Sequence, residues 1–180
     1  MTNNRVYKIH LSISTSGDRY NHSSSAGCRI APSAFAISAR DIDPDKILWG
    51  KGYAANSQVY FAYGTKHILD EILIEELGNE DFRVDIYLKN IGTGEYIEKF
   101  IGKWLRHDGT NSSGEKPNNF EAWREFNSYW ALGKVQFIKA TEEDDIDRIK
   151  ELSKLATRLR KEAPICTDND IEGVNETGLY

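Results

Sequence analysis

The chain has 180 residues, 39% of them hydrophobic and 28% charged, enough to bury one core and consistent with a single domain. Its net charge of −5 argues against a general polyanion binder, because counterion release needs clustered lysine and arginine. Cys28 and Cys166 are too few and too far apart for a disulfide framework, and no apolar run reaches signal-peptide or membrane-spanning length, so a soluble cytoplasmic protein is expected.

From Val6 to Ser14 the chain alternates, with Tyr7, Ile9, Leu11 and Ile13 on one face and Lys8, His10, Ser12 and Ser14 on the other, which predicts a strand. A turn-rich stretch follows to Gly27. Cys28 to Ser38 predicts a second strand, interrupted by Pro32, and Asp41, Asp43 and Asp45 around Pro44 predict a tight turn. Lys46 to Ala54 returns as a third strand. Asn56 or Ser57 then caps a helix that runs to Leu77 and stops at Gly78. Phe82, Val84, Ile86 and Leu88 alternate with polar residues as a fourth strand. Apolar residues recur at helical spacing from Gly94 to Arg106, a polar loop runs to Pro117, and Asn119 to Leu132 predicts a further helix. Val135 to Ala140 makes a fifth strand. Thr141 caps a last helix whose Ile146, Ile149, Leu152, Leu155, Ala156 and Leu159 share one side, and Pro164 ends it. Residues 164–180 carry acidic and polar side chains without a period, so a flexible tail is expected after a domain of residues 1–163.

Hairpin-linked strands followed by helix-linked ones predict an α/β domain with a mixed sheet flanked by helices. The stretch GEYIEKFIGKWLRHDG, its polar loop with GEKPNN, and FEAWREFNSYWALGKVQFIKA narrow this further. Together they resemble the second helix, basic loop, third helix and fifth strand of the ribonuclease H family, with Asn119, Trp123 and Phe126 at matching positions. The resemblance covers Val6 to Ala163 and implies a five-stranded ribonuclease H-like mixed sheet. It also implies four carboxylates that hold two divalent metal ions for phosphodiester hydrolysis.

Placed on that pattern, the first acid falls at Ser16 before Gly17, or at Ser14 with a slipped register. The second falls at Tyr60 and the third at Lys89, which is followed by Asn90. Asp147, before Arg148 and Ile149, is the one position that keeps an acid. A lysine ammonium at the third place repels the metal that should bind there. The expected protein is therefore a catalytically inactive ribonuclease H-like module that needs no cofactor and binds nucleic acid (an RNA–DNA hybrid or duplex) or a protein partner. Lys99, Lys103, Arg106 and Lys116 form the most basic stretch, where the family grips its hybrid duplex. One alternative is an active nuclease using Mg²⁺ or Mn²⁺ on Asp18, Asp85 and Asp147. Another is a small interaction factor, such as a phage-encoded inhibitor, with no affinity for nucleic acid.

Overall fold

A computed structural model describes residues 5–16, 20–21, 29–40, 45–54, 57–70, 82–90, 124, 135–162 and 173–180. Strands β1 (Arg5–Thr15), β2 (Tyr20–Asn21), β3 (Arg29–Ala39) and β4 (Ile47–Ala54) precede helix α1 (Ser57–Ile68). Strands β5 (Phe82–Leu88) and β6 (Val135–Lys139), helix α2 (Glu143–Glu162) and strand β7 (Gly173–Leu179) follow. Six strands lie in the order β6-β5-β1-β3-β4-β7, and the two-residue β2 pairs with β3. β1 runs parallel to β5, and β5 parallel to β6. β3 is antiparallel to both β1 and β4.

All five strands expected from the sequence are present, as β1, β3, β4, β5 and β6. The sequence-predicted helices over 94–106 and 119–132 lie outside the described residues, apart from Arg124, which is helical. No described helix is long and apolar enough to cross a membrane.

The sheet is covered on both faces, which explains why so few of its side chains stay wet. One face sends Tyr7, Ile9 and Leu11 of β1, Phe35 and Ile37 of β3, and Val84 and Ile86 of β5 into a core shared with Tyr60, Phe61 and Ala62 of α1. The other face offers Ala34 and Ala36 of β3 and Ile47 of β4 to Leu152, Leu155, Ala156 and Leu159 of α2. Phe35 and Ile37 on one side of β3 and Ala34 and Ala36 on the other suit this arrangement, because the small face lets α2 approach the sheet closely.

The tail expected to be flexible is corrected in part. Residues 173–179 form β7, which pairs antiparallel with β4 from Leu48↔Leu179 to Tyr53↔Gly173 and carries a bulge opposite the Lys51–Gly52 step. Tyr180 continues the ladder by exchanging backbone hydrogen bonds with Ile47. The seating depends on glycines. A Cβ on Gly52 would run into the Gly173 carbonyl, and one on Gly178 would run into the Trp49 ring. Gly173 adopts φ +142°, a conformation that L side chains rarely take. β7 (GVNETGL) is half-buried at best, so it has no need of the apolar alternation that marks the inner strands.

Candidate functional site

β1 and β5 are parallel neighbours whose outer partners run in opposite senses, so their C-terminal ends open a crevice between α1 and α2. That is where open α/β sheets place ligands. His10 pairs with Tyr87 in this register, so counting on two residues sets Ser12 opposite Lys89. The crevice is a cleft of about 660 Å³, within the range of small-ligand and cofactor sites. Its walls are apolar, from Leu11, Phe61, Leu88, Ile146 and Ile149, while Ser12, Asn90 and Ser153 supply neutral polar groups. Its charges are Lys89, Lys150 and Lys154, and no carboxylate of the described residues lines it.

The residues singled out by sequence are spread apart. Lys89 lines the cleft. Ser16 lies past the end of β1, where its N–H donates to the Pro32 carbonyl at 2.9 Å. Tyr60 is fully buried inside the sheet–α1 core, its ring 5.7 Å from that of Phe35 and 6.0 Å from that of Tyr63. Its hydroxyl has no hydrogen-bond partner among the described residues, and burial drives its pKa far above the ordinary tyrosine value. The neighbouring Phe61 faces the cleft in its place. Asp147 is exposed on α2, 4.0 Å from Lys150, and is not among the lining residues. Asp85 sits within β5 and is engaged by Arg83 at 3.1 and 3.3 Å. Asp18, Lys99, Lys103, Arg106 and Lys116 lie outside the described residues.

Phe61, Lys150, Ser153 and Lys154 are cleft residues that the sequence did not single out. The i, i+4 lysines of α2 were the available signal.

Divalent metals take hard, anionic oxygen ligands. The cleft instead supplies ammonium groups and neutral oxygens, and no three His, Cys, Asp or Glu side chains gather to hold a metal among the described residues. The described lining therefore does not fit the two-metal centre of the ribonuclease H family.

Below the cleft, on the α2 face, lies a buried polar cluster. His10 is 1% exposed and its Nε2 lies 2.7 Å from Asp145 Oδ1. Lys8 Nζ reaches the same oxygen at 2.8 Å and stands 4.4 Å from the centre of the Tyr87 ring. Burial pushes the His10 pKa below 6.5, outweighing the pull of Asp145. For Asp145 burial acts upward, but the hydrogen bonds from Lys8 and His10 and the charge of Lys8 prevail and hold the carboxyl below its ordinary value. The cluster is thus an ionised Asp145 accepting a hydrogen bond from neutral His10, which must carry its hydrogen on Nε2. His10 Nδ1 and Asp145 Oδ2 are left without partners among the described residues.

Both shifts act in one direction. The unfolded chain takes up a proton on histidine near pH 6.5 before the folded chain does, and later one on the aspartate, so stability is lost as pH falls. The urea midpoint is expected to fall between about pH 7.5 and 5. His10→Gln, which keeps an N–H donor but does not titrate, should flatten that slope. An equally steep slope in this variant would show that His10 is not its source.

Strand order, the parallel β1–β5–β6 block, the antiparallel β3–β4 ladder and the placement of the two helices together define a ribonuclease H-like fold. Solved structures agree. A foamy viral protease–reverse transcriptase in complex with dsDNA aligns at TM-score 0.56 and 9% identity, covering 88% of this chain and 94% of that one. LC9-RNase H1, a type 1 RNase H with the type 2 active-site motif, aligns at 0.55 and 12% identity, covering 88% and 73%. The foamy viral enzyme bound to an RNA/DNA hybrid aligns at 0.50 and 9% identity over 88% of this chain, which spans 20% of that longer polypeptide. No protein-family model and no curated protein sequence matches the chain. At such identities the likeness defines the fold and leaves activity to the site.

Proposed function

We propose that this chain is a ribonuclease H-like module that binds nucleic acid without hydrolysing it. The observation that carries this reading is the charge of the cleft, where Lys89, Lys150 and Lys154 stand in a space whose described lining has no carboxylate. Three ammonium groups attract phosphate and oppose divalent metal, so affinity is retained while metal-assisted hydrolysis is not. The neighbouring folds that hold dsDNA and RNA/DNA hybrid support nucleic acid as the ligand class by analogy. A nuclease built on Asp18, Asp85 and Asp147 is disfavoured, because Asp85 is committed to Arg83 and Asp147 faces solvent.

The test combines hydrolysis with binding. A labelled RNA–DNA hybrid incubated with Mg²⁺ or Mn²⁺ should stay intact, yet be retained with an affinity that drops as salt rises and drops again in Lys89→Glu. Cleavage that disappears in Asp147→Asn would establish the nuclease instead. Absence of salt-sensitive binding to hybrid, duplex and single strand would leave a protein-interaction role.

A further inference from the structure

Helix α2 changes character along its length. Its first turn holds Glu143, Asp144 and Asp145, whereas its later exposed residues include Lys150, Lys154, Arg158 and Lys161. At 100° per residue these four cations fall within one stripe less than a quarter-turn wide, spaced about 6, 6 and 4.5 Å along the axis and spanning about 16 Å. The stripe starts at the cleft, since Lys150 and Lys154 line it. It then continues past Thr157 along a shallow trough bordered by Lys154, Arg158 and Lys161, with Glu162 at its far side. Among the described residues the acids near it are few, although Asp147, about 60° from Lys150 on the same count, shares its first turn. Lys150 approaches Asp147 only at 4.0 Å, Glu151 is turned to Arg148 at 2.8 Å, and Glu162 lies 4.0 Å from Lys51. In a chain of net charge −5, this concentration of cations on one helix face stands against the average.

A second feature lies beside the same stripe. The Arg158 guanidinium stands 5.3 Å from the centre of the Tyr180 ring. Tyr180 is 63% exposed, yet its backbone is fixed by hydrogen bonds to Ile47 at 2.8 and 3.3 Å. An aromatic face that is held in place and open to solvent next to a row of cations combines the two parts of single-strand recognition, a charged track for the backbone and a platform for bases.

We propose that α2 carries a single-stranded nucleic acid, with its phosphates on Lys150, Lys154, Arg158 and Lys161, a base on Tyr180, and the strand leading into the lysine-lined cleft. The proposal rests on the nucleic-acid reading above and adds a strand type, a path and a footprint of roughly four nucleotides, the short end of known single-strand sites. One narrow row of charges favours a single strand over a duplex, which offers two backbones several ångströms apart.

Fluorescence anisotropy with an oligothymidylate, at several salt concentrations, tests it. Lys154→Gln/Arg158→Gln should weaken binding tenfold or more and make the plot of log K against log salt shallower by about 1.4, two contacts at about 0.7 each. Tyr180→Ala should weaken it several-fold with little change of slope. Lys139→Glu, an exposed lysine on β6, should leave it within twofold. The replaced side chains are all exposed, and an unchanged thermal midpoint verifies that each variant folds. If the α2 double variant binds like wild type while Lys89→Glu does not, the α2 path is overturned and the nucleic-acid reading survives. If wild type binds hybrid or duplex but not the oligothymidylate, the single-strand path alone is overturned; if it binds none of the three, both readings fall. Equal affinity and salt slope for polyglutamate would overturn the assignment of nucleic acid.

Discussion

A Tyr60→Glu variant is expected to lose most of its stability and to gain no hydrolytic activity. On the pattern of the ribonuclease H family, position 60 is where an acid would stand, so restoring one looks like a route back to catalysis. The packing argues otherwise. Tyr60 is fully buried between Phe35 and Tyr63, and no described cation approaches its hydroxyl. Replacing its ring removes apolar contacts worth about 3–5 kcal/mol in a well-packed core. The new carboxyl must then either be buried with a charge or take up a proton, at a further cost of several kcal/mol. The sum approaches the whole stability of an ordinary domain, about 5–15 kcal/mol. Tyr60→Phe is the matched control. It discards an unpartnered hydroxyl and keeps the ring, so it should be as stable as wild type or gain up to about 1 kcal/mol. Urea denaturation measures both variants. A stable Tyr60→Glu chain that cleaves a hybrid with Mg²⁺ would contradict the burial argument and the non-hydrolytic reading together.

The second large effect is expected at Asp145. Asp145→Ala removes the acceptor that His10 reaches at 2.7 Å and leaves an imidazole buried with neither nitrogen bonded among the described residues. The expected loss is about 3 kcal/mol, set by a charge-assisted hydrogen bond and an unsatisfied buried group. Lys8 adds little to this figure, because its side chain is 40% exposed and water can replace the lost partner. Removing both sides of the contact should cost less than removing one. A His10→Leu/Asp145→Leu chain is expected to lie nearer to wild type than Asp145→Ala does, and chemical denaturation of the single and double variants measures the difference. If the double variant is the weaker, the cluster contributes more than its unpaired groups cost.

The sequence made the sheet readable wherever burial imposed a period. Tyr7, Ile9 and Leu11 alternate because α1 covers one side of β1, and Phe82, Val84, Ile86 and Leu88 alternate because they enter the same core. The cleft was harder to find, because its position depends on where two neighbouring strands end together. β1 runs on to Thr15 in its hairpin with β3, while its parallel partner β5 stops at Leu88. Ser16, just past the end of β1, therefore overshoots the crevice, which is lined by Ser12. Lys89 was readable because it directly follows the shorter strand. Helix phase separates the remaining pairs. One residue along α1 turns the chain by 100°, so that of two residues buried in the same core Phe61 borders the cleft and Tyr60 does not. On α2 the one-residue step from Ile146, which lines the cleft, leaves Asp147 exposed beside Lys150. β7 left no periodic trace, because an edge strand seated through Gly173 and Gly178 relies on missing side chains more than on apolar ones.

The pairing of β7 with β4 also bears on the order in which the molecule can assemble. Leu48 finds its partner in Leu179, so the ladder closes across nearly all the intervening chain. During synthesis the β3–β4 hairpin can form early from local contacts, whereas the outer side of β4 must wait until β7 has emerged. Through that interval β4 presents a row of unsatisfied N–H and C=O groups that another nascent copy could pair with. The glycine contacts at Gly52 and Gly178 then favour the chain's own strand, because a bulkier intruder meets the Trp49 ring. Seating β7 is thus a late folding step that closes the period in which β4 is exposed to intermolecular pairing.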